Sequence, residues 1–517
     1  LLPALAVVAS LLPGPAGRAL AADTPDPVLN LMLEKGMITE DEAAKVQAQV
    51  NARQTNLAAM YQSEYQPQRT DSIWKISPGI KNIELYGDLR TRFEERKATD
   101  PAGEDIELQR YRYAARVGLR GEVYDDFYYG FRVETSSNPR SSWVTMGTQS
   151  GSSAPYSGPF GKSAAGINIG QIYLGWHPES WFEVTAGKMP NPLYTSSLVW
   201  SPSINPEGLA EHLKYKVGEA DVFANFGQFV YQDVNPVQSP TGFFAGLGYN
   251  NANQPFLLAW QGGVDYHLTK KVDFKVAPVL YDYVGVPENF ANAFTPDFGG
   301  TYVGQGAPSS VSGYGSGVGN LSDGYFANQT GINNLYVLEI PFELNFKLNP
   351  FDLRLFGDYA QNLDGSARAE AAAAQSINDN ANTALSPINV IHSPQTHDTK
   401  AYQVGLAIGS TNSLGLVNGT TARKHSWEVR TYWQHVEQYS LDPNLLDLDF
   451  FSGQENLQGI YAAAAYGFTD NFIGTFRYGH AGRINDKLGT GGTGTDIPQM
   501  NPINEFSIFQ VDLTFKF

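Results

Sequence analysis

The 517-residue chain contains no cysteine, so neither a disulfide framework nor a thiolate metal site can hold it together. Its stability has to come from the packed fold itself. Charge is also scarce: Asp, Glu, Lys and Arg make up 17% of the residues, against 13% aromatics. That is too little charge for a wholly solvated surface and too many rings for a disordered chain. Only 8 histidines occur, and no serine motif stands near them that would build a nucleophile, base and orienter, so neither enzyme chemistry nor a cofactor is expected. Beyond the first residues no stretch of about eighteen apolar residues exists, so no helix is expected to span a membrane. A membrane location would therefore require a closed barrel. Basic excess is missing too. The formal net charge is −17 and the pI near 4.9, which excludes nucleic acid as a partner, since that contact needs a basic surface.

What the chain does have is alternation. In its last thirteen residues, Glu505 to Phe517, the apolar Phe509, Val511, Leu513, Phe515 and Phe517 alternate with Gln510, Asp512, Thr514 and Lys516. That places all the apolar groups on one face of a strand. From Ile83 onward the same pattern recurs in segments of about ten residues, the length a tilted strand needs to cross a bilayer. Tight turns such as His177 to Ser180, Gly218-Glu219, Thr269-Lys270, Asn349-Pro350 and Thr469-Asp470 alternate with long connections. The connection Thr411 to Ser426 is the exception, longer than the others on its side. The count is about sixteen strands, an even number, as expected for an all-β transmembrane antiparallel barrel with short turns on one rim and long loops on the other. Tyr124, Phe127, Trp176, Trp181, Phe468 and Phe472 flank the short turns, where a girdle at the headgroup level is expected.

Upstream, Leu1 to Ala21 is an apolar run ending in Ala19-Leu20-Ala21, the pattern of a secretory signal peptide and its cleavage site. Residues 22–80 form a short helical segment expected on the periplasmic side. Within it Thr39 followed by Glu42 reads as a capping box before a run of good helix formers. The barrel domain is assigned to residues 81–517.

With the apolar face outward, the first three strands carry Arg90, Arg92, Arg112, Arg116, Arg120 and Arg132 on the other face. An arginine facing lipid at midplane would cost about 2–4 kcal/mol, so these side chains are expected to form a pore-lining basic ladder. Such a ladder attracts anions, unless Asp88, Glu94 and Glu134 on the same face neutralise it. Met189 to Gly208 is long and rich in proline, and it holds Leu193, Tyr194, Leu198, Val199 and Trp200 where a free loop would be polar. It is expected to pack.

Several short motifs occur in one order along the chain: Lys35-Gly36 with Thr39-Glu40-Asp41-Glu42, Gly187-Lys188-Met189-Pro190 with Trp200 and Glu207-Gly208, Asp447-Leu448-Asp449-Phe450, Asn456 with Gly459, and the terminal Phe517. In this order the chain resembles a family of bacterial outer-membrane porins of the general-diffusion type. The resemblance implies a passive channel for small hydrophilic solutes and ions in the outer membrane of a Gram-negative cell. It also implies a homotrimer in contact with lipid and lipopolysaccharide, and a Phe517 that is read by the barrel-assembly machinery. By the same resemblance the third long loop folds inward as the constriction, with Lys188, Tyr194, Trp200, Glu207 and Glu211 near the eyelet. A non-conducting structural or adhesive barrel is the alternative. No metal site is expected.

Overall fold

The computed structural model divides into two units, residues 1–77 and 78–517. It describes residues 35–37, 39, 41–46 and 48 of the first. Of the second it describes 79–100, 103, 105–124, 126–136, 141–147, 166–231, 255–284, 332, 334–370, 397–490 and 503–517. The signal segment Leu1 to Ala21 lies outside the described residues. In the first unit a helical turn covers residues 41–46, and the Glu42 carboxylate accepts hydrogen bonds from the Thr39 N–H and hydroxyl, both at 3.0 Å. These contacts close the capping box that begins the helix.

The second unit is built from β1 (Glu84–Thr99), β2 (Asp105–Val123), β3 (Phe127–Ser136), β4 (Val144–Thr145), β5 (Gly166–Glu179), β6 (Phe182–Lys188), β7 (Glu207–Val217), β8 (Ala220–Val230) and β9 (Phe256–Thr269). It continues through β10 (Val272–Val276), β11 (Val279–Val284), β12 (Tyr336–Leu348), β13 (Phe351–Asn362), β14 (Lys400–Ser410), β15 (Trp427–Val436), β16 (Leu457–Gly467), β17 (Phe472–Arg483) and β18 (Glu505–Lys516). These segments make sixteen crossings. β4 prolongs the line of β3 along β2, because Thr145 faces Arg112 where Glu134 faces Arg116. β10 and β11 are one crossing whose ladder is broken at Ala277 and Pro278, where proline has no N–H to contribute.

Every pairing is antiparallel, and β18 pairs with both β17 and β1, which closes the sheet on itself. A closed sheet leaves no unpaired edge, the condition for β-structure in lipid. The closing strand runs to the last residue: the Phe517 N–H donates to the Gly87 carbonyl at 3.1 Å and the Gly87 N–H to the Phe517 carbonyl at 2.9 Å.

The faces are inverted relative to a soluble protein. On β18, Val511, Leu513 and Phe515 are 39–45% exposed on the outside, whereas Gln510, Asp512 and Thr514 are buried on the inside. The same inversion runs along β1, with Leu89 outward and Asp88, Arg92 and Glu94 inward. Tyr124, Phe127, Trp176, Trp181 and Phe468 are all exposed beside the short turns, with Phe127 stacked on Trp176 at 6.2 Å and Phe468 against Phe472 at 5.6 Å. Their position is that of an interfacial belt.

Candidate functional site: the lumen and the segments folded into it

Alternation along β1, β2 and β3 puts Arg90, Arg92, Arg112, Arg116, Arg120 and Arg132 on the lumen face, and the wall divides into two halves. Toward the long-loop rim, Arg92 donates to Asp512 and Asp449, both at 2.7 Å, and its guanidinium lies 4.2 Å from the centre of the Trp143 ring. Arg112 lies under the same ring and 3.7 Å from Glu94. Glu94 also holds Arg96 at 3.1 Å and accepts from Arg110 at 2.7 Å. Arg477 of β17 completes the group by pairing with Asp512. Closely packed ion pairs of this kind neutralise one another, so this half of the wall is locked. Toward the short-turn rim, Asp88 is shared by Arg90 and Arg116 at 2.6 Å each, and Arg120 pairs with Glu84 at 2.7 Å. Arg132 comes no nearer than 3.6 Å to Glu134.

The connection 189–206 reaches across the inside. Gln261 on β9 receives the Tyr194 N–H at 2.9 Å and donates to the Tyr194 carbonyl at 2.7 Å. The Thr195 hydroxyl donates to Glu339 on β12 and the Ser196 hydroxyl to Asp358 on β13, each at 2.6 Å. Lys275 on β10 lies 4.0 Å over the Tyr194 ring, and Trp200 packs between Phe229 and Tyr281. All of these strand partners face the lumen.

Three residues expected near the eyelet are not there. In the register of β6 and β7, Lys188 faces Glu207, Ala186 faces Leu209 and Val184 faces Glu211. Leu209 is exposed on the outer surface while Ala210 is buried, so Glu211 shares the outer face with Leu209. The expectation for Lys188, Glu207 and Glu211 is corrected accordingly: the strand period of two turns them away from the lumen. They bond on the outside, Lys188 to Glu207 and Glu211 to Gln228. Tyr194 and Trp200 are the members of that set that lie inside.

A second long connection, 437–456 between β15 and β16, also turns inward. The Ser201 N–H donates to the Leu445 carbonyl at 2.7 Å, joining the two connections, and Tyr231 and Tyr283 both donate to Asp442 at 2.9 Å. Arg96 donates to the Ser452 hydroxyl at 2.9 Å and to the Leu448 carbonyl at 3.1 Å. Phe450 packs on Tyr432 and Tyr461, and a Cβ built on Gly479 would meet its ring at 2.4 Å. The wall beneath is made of small residues, Gly405, Ala407, Gly459, Ala463, Gly479 and Ala481, which leave room for the segment to lie against it. Burial would raise the Asp449 carboxyl, but Arg92, with Arg477 and Arg96, outweighs it and holds the group well below the usual range. At Asp447 the pull of Arg92 and Arg96 is weaker. Burial and the neighbouring Asp449 carboxylate push it up to about 7.

The unusually long turn 411–426 enters from the opposite rim. Gly415 (φ 112°) and Gly419 (φ 69°) bracket a 3-10 turn over Leu416–Asn418, a left-handed backbone that favours glycine at both ends. The Glu428 carboxylate accepts the N–H groups of Gly415 at 2.8 Å and Val417 at 2.9 Å. Arg477 donates to the Val417 carbonyl at 3.0 Å, and Lys516 to the Gly419 carbonyl. Sequence reading found neither inward segment, although Leu441, Leu445, Leu446, Phe450 and Phe451 are the same signal of apolar residues in a loop that marked 189–208.

A family model described as "Putative porin" matches residues 97–517. No curated protein matches the chain by sequence. Among solved structures, an anion-selective porin from Comamonas acidovorans is 9% identical, with a TM-score of 0.39, over 84% of this chain and 99% of that one. The trimer form of OmpT, an outer membrane protein of Vibrio cholerae, is 10% identical with a TM-score of 0.38, over 84% and 99%. A mutant of the Rh. blastica porin is 9% identical with a TM-score of 0.35, over 84% and 100%.

Proposed function

The chain belongs to the porin family whose model spans residues 97–517, and on that premise we propose that it is a water-filled outer-membrane channel for passive diffusion of small hydrophilic solutes and ions, narrowed by its inward segments. The observation that carries this reading is the inverted sheet, apolar outside and charged inside, closed over sixteen strands. A barrel of that size cannot be filled by its own wall side chains, so space remains for water unless loops occupy it. The narrow zone lies where connection 189–206, through Tyr194 and Trp200, meets connection 437–456. In the strand order β1 stands opposite the β10–β11 crossing. The arginines of β1 and β2 therefore face a wall on which Asp273 pairs with Lys347, Glu343 with Arg354, and Asp265 stands opposite Lys275, so both sides of the channel carry charges of both signs that interact with polar solutes.

The protein acts without enzymatic chemistry and without a cofactor. It is exported with removal of Leu1 to Ala21, its amino-terminal helix stays in the periplasm, and its apolar outer faces associate into a homotrimer among lipid and lipopolysaccharide. The mass of the detergent-solubilised complex tests the trimer. A monomer there removes it.

Purified protein in a planar bilayer should give large, stable, weakly voltage-dependent conductance steps. One observation favours a second reading, a plugged structural barrel: both inward connections bond to the walls and to each other inside the lumen. Folded protein that conducts no ions would decide for the plug.

A further inference from the structure

Between the Trp143 cover and the short-turn rim the lumen wall carries Arg90, Arg116, Arg120, Arg132 and Lys516 against Glu84, Asp88 and Glu134. Asp88 serves two arginines and Glu84 one. Lys516 donates to a backbone carbonyl, so its charge is not neutralised by a bonded carboxylate among the described residues. Arg132 is the least satisfied. Its nearest carboxylate, Glu134, is at 3.6 Å, too long for a hydrogen bond, and its Nε is buried without a partner among the described residues. A buried N–H left in that state is costly unless water or a ligand completes it, and the rest of the guanidinium is open to the lumen to receive one.

The surrounding wall is shaped as well as charged. In register, Tyr86, Gly118, Arg132 and Gln171 form one row across β1, β2, β3 and β5. The Tyr86 ring lies flat over Gly118, where a Cβ would be 2.6 Å from it, and its hydroxyl donates to Gln171 at 3.2 Å. Arg120 sits 4.8 Å over the same ring. In the neighbouring row the Tyr173 ring lies over Gly130 in the same way, and its hydroxyl has no hydrogen-bond partner among the described residues. Arg116 and Arg120 thus stand diagonally on either side of Arg132, with a phenol beside them and the rings pressed against the wall.

We propose that this recess is a transit station for small oxyanions, phosphate-like or carboxylate, held by Arg132 with Arg116 and the Tyr173 hydroxyl. The planar fork of arginine matches two oxygens of such a group at once, which a lysine cannot do. Flux requires that the hold be weak, and the partial neutralisation by Asp88 and Glu134 keeps it so. The station deepens the channel reading and depends on it only for access from solution.

The test uses the folded full chain in detergent, titrated with inorganic phosphate by calorimetry. Saturable binding is expected in the unaltered protein, weakened on the order of tenfold by Arg132→Gln, because a hydrogen bond to a charged group is worth about one decade or more. Arg430→Gln on β15, away from the recess, should leave it unchanged, and Arg132→Lys should restore part of it. The station is overturned by the absence of saturable binding, or by equal binding in Arg132→Gln and the unaltered protein. A bilayer measurement separates the two readings. Protein that conducts chloride yet neither binds phosphate nor is slowed by it loses the station and keeps the channel. Protein that binds phosphate through Arg132 but never conducts keeps the station and loses the channel.

Discussion

Replacing Asp449 by Asn tests whether the 437–456 connection is held in the lumen by charge. Asp449 bonds Arg92 at 2.7 Å and lies 3.9 Å from Arg96, but its side chain is 33% exposed and Arg92 keeps Asp512 at 2.7 Å. Breaking a fully buried pair costs about 3–5 kcal/mol. Exposure and the retained Asp512 contact reduce the loss here to about 1–2 kcal/mol, which shifts the ratio of docked to undocked loop by about 5- to 30-fold. The other anchors, Ser201 to Leu445, Tyr231 and Tyr283 to Asp442, and Phe450 on its aromatic neighbours, remain in place. The variant should therefore keep its main conductance level and show brief larger steps, more frequent by about that factor. Single-channel recording at low and high salt is the assay, with circular dichroism to verify the barrel. Equal step frequency in both proteins would refute the idea that the ion pair holds the loop. If replacing residues 441–453 by a short Gly-Ser linker also leaves conductance unchanged, the segment lies off the conduction path.

Three further outcomes are expected. Gly479→Val should push Phe450 off the wall, since even a Cβ would meet its ring at 2.4 Å, and should loosen the segment by about 1–3 kcal/mol; limited proteolysis within 437–456 reads this, and unchanged resistance would contradict it. Asp447 is raised from 3.8 to about 7, so its contribution to docking is complete below about pH 4 and is lost as pH rises through 7. Asp449 is lowered, so its contribution is present above about pH 4 and lost in stronger acid. Loop protection should then peak between those limits, and Asp447→Asn should abolish the alkaline fall; a flat profile in the unaltered protein would count against it. Deleting Phe517 removes two backbone hydrogen bonds to Gly87, worth about 0.5–1.5 kcal/mol each, from the strand that closes the barrel, and should lower refolding yield in detergent; an unaltered yield would show that closure does not need it.

The sheet was legible because lipid imposes a period of two on every crossing, and that period is written directly in residues such as Phe509 to Phe517. Sixteen crossings and the inward arginines follow from the same rule. The loops were legible only in part. Packing of the loop that holds Tyr194 and Trp200 could be read because apolar residues in a long loop must pack somewhere, whereas its inward course was implied only by the resemblance, and Lys188, Glu207 and Glu211 could not be oriented without knowing where β6 ends and β7 begins. A shift of one residue there exchanges lumen for lipid. Arg96 and Arg477 were passed over because their partners, Leu448, Ser452 and Asp512, lie far away in the chain or in another strand. Local pattern carries no information about such pairings.

The distribution of small and charged residues around the lumen explains why the segment 437–456 goes where it does. Strands β14, β16 and β17 carry Gly405, Ala407, Gly459, Ala463, Gly479 and Ala481 on their inner face beside the rings of Tyr432 and Tyr461, and these small residues leave an apolar trough that water fills poorly. Phe450, Phe451, Leu445 and Leu446 fill it, all buried in one apolar cluster with Leu198 and Trp200 of the other inward connection. Burial at about 25 cal/mol per Å² makes the cluster favourable, but it is non-directional and would tolerate many placements of the segment. Direction comes from charge at the border of the trough. Arg92 and Arg96 stand where the small wall gives way to the basic one, and Asp449, next to Phe450 in sequence, meets them as the ring enters the trough. A segment shifted by two residues would leave Arg92 with Asp447, whose carboxyl is held partly protonated by its surroundings, and would draw Phe450 out from beside Gly479. Apolar fit and ion pairing therefore agree on one register, and the lumen keeps a fixed shape where a loop held by either alone would slide.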